Sequence, residues 1–174
     1  MAAAPPDRID LGWCSVASPQ GLVLVQATAT PGMPGGSALF APPSPHLPRK
    51  ALFTETIRDR DPDAFPESLS LYAGPPALPG PPETQLRATL DALRRTLGPL
   101  AVERLGACGV GDAPGAAAHF LYHAGFAVAL LSVAWDMPDM RCVATMHAPA
   151  RRGAQRLDDM LRLAASLRPG AARP

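Results

Sequence analysis

The chain has 174 residues, sixteen cationic and fifteen acidic side chains, and a formal charge of +1. A length of this order suits one domain that buries roughly 70% of its unfolded surface without metal or disulfide support. Near neutrality removes any overall electrostatic pull toward nucleic acid or an anionic membrane. Cys14, Cys108 and Cys142 are an odd set without CxxC spacing, which argues against a disulfide framework or a thiolate metal site and fits a reducing compartment.

The N-terminus, "MAAAPPDRIDLGWC", carries Pro5, Pro6, Asp7, Arg8 and Asp10 where a secretory signal needs an unbroken apolar stretch. Cys14 lacks the apolar segment that precedes a lipidated cysteine. A cytoplasmic location is the expectation. Residues 1–20 read as a flexible arm and residues 170–174 as a tail on one domain spanning 1–174, with the relation of residues 1–50 to the core left open.

The twenty-two prolines concentrate between residues 31 and 82. In "PGMPGG", "APPSPHLP" and "GPPALPGPP" φ is fixed, donors are missing and the preceding residue is pushed away from helix, so these are connectors. A proline-rich ligand motif in "PPSPHLP" is the sharper alternative to a plain loop. Between them, "GLVLVQATA" (21–29) and "ALFTETIR" (51–58) have the β-branched content and partial alternation of strands. In "DRDPD", Asp59, Asp61 and Asp63 imitate the opening of a calcium loop, but Ala64 replaces its glycine and Ser70 stands in place of the bidentate glutamate.

"ETQLRATLDALRRTLG" places Leu86, Leu90, Leu93 and Leu97 on one face of a helix, started at Pro81 and Pro82 and stopped at Gly98 and Pro99. "PLAVERL" then reads as a strand and "GACGVGDAPG" as a flexible glycine-rich loop without the spacing of a phosphate cradle. The run "GAAAHFLYHAGFAVALLSVAWD" has the length of a membrane span. His119, His123 and Gly125 interrupt it, and splitting at "HAG" gives a β-hairpin with one or both strands buried. "MRCVATMHA" is a further strand. "GAQRLDDMLRLAASLRP" is a closing helix with Leu157, Met160, Leu161, Ala164 and Leu167 on its apolar face.

Chemistry is sparse. His119 and His123 share a strand face, but zinc needs a third ligand, for which only the distant His147 or an aspartate can be nominated; hydrogen-bonded or exposed strand histidines are the plainer account. No serine sits in GxSxG. Arg141, Arg151, Arg152, Arg156, Arg162 and Arg168 could line a nucleic-acid surface, yet Asp158 and Asp159 interleave with them and no recognition motif accompanies them. The expectation is therefore a non-enzymatic protein without catalytic residues, metal or other cofactor.

The element order predicts an α+β fold, an antiparallel sheet with two main helices packed on one face in two layers. With "ALFTETIRDRDP", with the helix, strand and meander from "TQLRATLDALRRTLG" to "MRCVATMHAP", and with "LDDMLRLAASLRP", the chain resembles the PsbP/Mog-type fold, in particular its DcrB-like group, over roughly residues 51–169. Among that group it is similar to the Eag-type adaptor chaperones of type VI secretion. The resemblance implies a cytoplasmic adaptor that holds a hydrophobic segment of a secreted or membrane-active partner, an effector with apolar N-terminal helices. A general protein-interaction module of the same fold is the alternative. Neither nucleic acid nor direct membrane insertion is expected, and a homodimer stays open.

The hairpin is the expected partner-binding surface. With a two-residue turn at Ala124 and Gly125, the face bearing His119, Leu121 and His123 also carries Val128, Leu130 and Ser132. The opposite face, with Phe120, Tyr122, Leu131, Val133 and Trp135, reads as core. The expected binding residues are thus His119, Leu121, His123, Val128 and Leu130. The competing account covers both faces and puts the site in a loop. A one-residue slip would exchange the two sets.

Overall fold

The structure is a computed structural model that describes residues 7–43 and 67–169. The expected strand at 51–58, the Asp59–Asp63 run and the 170–174 tail lie outside the described residues. Five strands precede the first helix: β1 (Arg8–Asp10), β2 (Cys14–Ala17), β3 (Val23–Ala29), β4 (Gly36–Ala41) and β5 (Ser68–Gly74). Then follow α1 (Pro82–Leu97), β6 (Ala101–Val110), β7 (Ala113–His123), β8 (Ala127–Met137) and β9 (Met140–Pro149). A 3-10 turn at Ala150–Arg152 leads into α2 (Gly153–Ser166), and β10 (Arg168–Pro169) ends the described chain.

Seven strands make one antiparallel sheet in the order β3-β4-β5-β9-β8-β7-β6. The class is α+β, as the element order implies, with the long hairpins β6–β7, β7–β8 and β8–β9 forming one half of the sheet out to the edge strand β6. The two helices, however, do not share a face. Leu86 and Leu90 of α1 pack with Ala116, Ala118, Phe120, Leu130 and Ala134. Leu157, Met160, Leu163 and Ala164 of α2 pack with Ala117, Ala129, Leu131, Val133 and Trp135. Adjacent strand residues point to opposite sides, so the helices sandwich β7 and β8. The expected two layers become three at the centre of the sheet. This explains the unbroken apolar run of β8, where Val128 through Trp135 are all buried, as a strand covered on both sides requires.

Of the expected arm over residues 1–20, the described part from residue 7 is tied to the core, and residues 1–6 lie outside the described residues. β1, β2 and β10 form a second, three-stranded sheet. Leu11, Trp13, Cys14 and Val16 are buried in the same cluster as α2. Ser166 fastens this corner: its Oγ accepts the Ala17 N–H at 2.9 Å and its carbonyl accepts from Arg8 at 2.8 Å. The expected glycine-rich loop is also strand. β6 runs through Val110, and the turn at Gly111, with φ +59°, passes straight into β7.

α1 starts at Pro82, preceded by an extended Pro81, and stops at Gly98 with φ +82°. Its proline-rich approach is held by Arg141. That guanidinium pairs with Asp136 at 2.7 and 3.0 Å and donates to the carbonyls of Leu78 at 3.3 Å and Gly80 at 2.7 Å. A buried cation with both charge and carbonyl partners fixes where the helix begins.

Candidate functional site

The sheet's two faces are closed to different extents. On β9, Cys142, Ala144, Met146 and Ala148 are at most 2% exposed, while Val143, Thr145 and His147 between them are half-buried. On β5, Leu69, Leu71 and Ala73 are at most 2% exposed, while Ser70 is exposed and Tyr72 is 50% exposed. Register puts the more open residues side by side: Tyr72 pairs with Val143 and Ser37, Ser70 with Thr145 and Leu39, and Ser68 with His147. This is the α1 side of the sheet. The helix packs over β6, β7 and β8, and among the described residues no helix lies over β9, β5 and β4 on that side.

Among the described side chains this surface is made of hydroxyls, imidazole and apolar groups, with the paired Arg141 and Asp136 at its Gly74 end. At its margin, next to the α1 cluster, is a Tyr122–His147 pair, with the phenol oxygen 3.1 Å from Nδ1 and the rings edge to face at 6.2 Å. Burial pushes the Tyr122 phenol above its ordinary pKa. The phenol therefore stays protonated at neutral pH, available as a hydrogen-bond donor and not as a base. Serine, threonine and tyrosine hydroxyls set among Val143 and Leu39 offer both hydrogen bonding and apolar contact. An apolar segment with a polar backbone, or an amphipathic helix, finds both on such a surface.

The hairpin register separates the residues expected to bind together. Its loop is Ala124–Gly125–Phe126, with Gly125 at φ +84° and His123 paired to Ala127. Three-residue hairpin loops with a left-handed glycine are a common alternative to the two-residue turn. One extra loop residue slips the strands by one position. His119 and Leu121 consequently pair with Leu131 and Ala129, whereas Leu130 pairs with Phe120 and Val128 with Tyr122. His119, Leu121 and His123 lie on the α2 side; Val128 and Leu130 lie on the α1 side and are 0% and 3% exposed. The five do not form one surface.

His119 is half-buried against the start of α2, where a Cβ on Gly153 would collide with its ring. Burial lowers its pKa and Glu103 opposes that, with a net shift downward. His147 lies on the other face of the sheet from His119 and His123, so the three imidazoles do not converge. No group of three His, Cys, Asp or Glu among the described residues is placed to hold a metal.

The six arginines do not make one basic surface either. Arg141 and Arg156 are 4% and 6% exposed and paired to carboxylates. Around Arg156, Glu67 bonds to its Nη2, Asp159 accepts from Nη1 at 3.2 Å, and the Gln20 carbonyl accepts from the same nitrogen at 3.2 Å. Arg152 stands 2.8 Å from Glu67, and Arg162 pairs with Asp159. Burial works against the Arg156 charge, but Glu67 and then Asp159 more than offset it, and the guanidinium is held more firmly protonated than usual. This network joins α2 to the residue that precedes β5.

The partly open surface was missed at the sequence level because β4 and β5 were not foreseen. The signal was present: "SLSLYAG" alternates serine or tyrosine with leucine or alanine, the period-two pattern of a strand with one buried face.

No protein-family description matches the chain, and no curated protein does. Solved structures do. The chain is similar to a point mutant of Mog1, with a TM-score of 0.59 at 11% identity over 95% of this chain and 96% of that one. It is similar to the Ran-binding protein Mog1p of Saccharomyces cerevisiae, with a TM-score of 0.56 at 9% identity over 92% and 93%. It is also similar to cyanobacterial PsbP, CyanoP, of Synechocystis, with a TM-score of 0.50 at 12% identity over 90% and 86%. The fold is therefore of the Mog1/PsbP type. At these identities the likeness is one of fold.

Proposed function

We propose that this chain is a non-enzymatic protein-interaction module, and that its partner docks on the hydroxyl-rich sheet surface around Tyr72, Thr145 and the Tyr122–His147 pair. The finer form of the reading is a cytoplasmic adaptor or chaperone that holds an apolar helical segment of a secreted or membrane-active protein, in the manner of the type VI effector adaptors the sequence resembles. The observation that carries it is the inequality of the two sheet faces. The α2 face is packed against helix and N-terminal strands, while among the described residues no helix covers β9, β5 and β4 on the α1 face. Yeast Mog1p, of the same fold, is a Ran-binding protein, which supports protein binding as a use of this architecture. No helix among the described residues is long and apolar enough to cross a membrane.

Burial of apolar partner surface contributes about 25 cal/mol per Å², and the hydroxyls supply hydrogen-bond partners at the rim. The test is affinity capture of the tagged protein from its native host under secreting conditions, with wild type beside a Ser70→Asp/Tyr72→Asp variant. Both positions are exposed, so the variant folds. The expected result is one co-purifying protein with an apolar helical segment, lost from the variant. Equal recovery from both proteins removes this surface from the account, and recovery of no such protein removes the adaptor reading.

A further inference from the structure

On the α2 side, away from the proposed docking surface, a cavity of about 170 Å³ opens beneath the helix. Its inner wall is apolar: Leu22, Leu69, Met146, Met160 and Leu163, all at most 5% exposed. Its other wall holds Arg156, Asp159 and Arg162, with Ser18 and Gln20 at the β2–β3 connection. An engineered apolar cavity of about 150 Å³ accepts benzene, so the space suits a single aromatic ring or a branched chain of like size.

The polar wall favours an anion. Arg156 is buried and lines the cavity, and its bonds to Glu67, Asp159 and the Gln20 carbonyl use three of the five N–H donors of its guanidinium. Arg162, 73% exposed at its side chain and paired with Asp159, also lines the cavity. Within the linked network, Arg152, Arg156 and Arg162 face two carboxylates, Glu67 and Asp159. Among the described residues of that network one positive charge is left over. Planar guanidinium groups pair bidentately with carboxylates and phosphates, and the ring-sized apolar wall beside them calls for an acid with an apolar body.

We propose that this cavity binds a small amphipathic carboxylate, an aromatic or branched acid of benzoate size, with its apolar body against Met146 and Met160 and its carboxylate toward Arg156 and Arg162. The site lies across the sheet from the docking surface, and the two readings stand or fall separately.

The full chain labelled with 13C at the methionine methyl groups reports this directly, because Met146 and Met160 line the cavity while Met33 does not. Titration with benzoate is expected to shift the Met146 and Met160 signals saturably and leave Met33 in place. Benzyl alcohol, with the ring but no charge, and acetate, with the charge but no ring, should each bind at least about tenfold more weakly. Arg162→Gln, at an exposed position, should weaken benzoate about tenfold and leave benzyl alcohol unchanged. Absence of a saturable shift at Met146 and Met160 overturns the proposal. So does benzyl alcohol binding as tightly as benzoate, or an Arg162→Gln protein that binds benzoate like wild type.

Discussion

The two faces of the central sheet are built from the same strands and finished differently. On the α2 face, Leu69, Leu71, Ala144, Met146, Leu131 and Trp135 meet a helix and a small N-terminal sheet, and none is more than 2% exposed. On the α1 face, Phe120, Leu130 and Ala134 lie beneath Leu86 and Leu90 with Val143 at the margin of that cluster, while Ser70 and Tyr72 of β5 are exposed. The difference separates labour within one sheet. Dense packing on the closed face fixes the fold, which leaves the neighbouring strand positions on the other face free to carry hydroxyls and aromatics.

Substitutions should divide along that line. Trp135→Ala opens a large cavity in the closed face and is expected to cost about 3–5 kcal/mol, read as a lowered denaturation midpoint. Leu86→Ala strikes the smaller cluster under α1 and should cost about 3 kcal/mol. Loss of α1 contacts without global unfolding, seen as faster amide exchange in α1 than in β8, would sharpen the contrast between the faces.

Alkaline pH probes the closed face without mutation. Burial, aided by nearby negative charge, raises the thiols of Cys14 and Cys142 from 9.0 to about 12. The folded state thus keeps these protons after the unfolded chain begins to lose them. Stability contributed in this way is complete below pH 9 and falls as pH rises toward 12, by up to about 1.4 kcal/mol per pH unit for each thiol. Denaturant titrations between pH 8 and 11 check the slope. In thiol labelling of the native protein, half-buried Cys108 should react before Cys14 and Cys142; simultaneous reaction of all three would show the closed face opening as readily as the other. At the small end, Tyr72→Ser on the open face should change stability by no more than about 0.5 kcal/mol while weakening partner capture.

Much of the architecture was legible. The leucine spacing of α1, the apolar stripe of α2 and the split of the long apolar run into a hairpin are local patterns, and each element forms where its pattern lies. The placement of α1 and α2 was not local. Yet "FAVALLSVAW", apolar at successive positions, already required cover on both faces of β8, and that requirement is incompatible with both helices on one side. The candidate site failed on a single residue. Whether the loop after His123 has two residues or three decides which of Val128 and Ala129 faces Leu121, and Gly125 is compatible with either. Arg156 and Glu67 are eighty-nine positions apart, so their pairing has no signature in spacing, and Arg156 read as one of a row of surface cations.

The most direct measurement is photo-crosslinking in the native host from a benzophenone side chain placed at Tyr72, compared with one at Asp158 on the exposed side of α2. A partner surface on the open half of the sheet gives a discrete crosslinked protein from position 72 and none from position 158. The same adduct from position 158 and none from position 72 would contradict it.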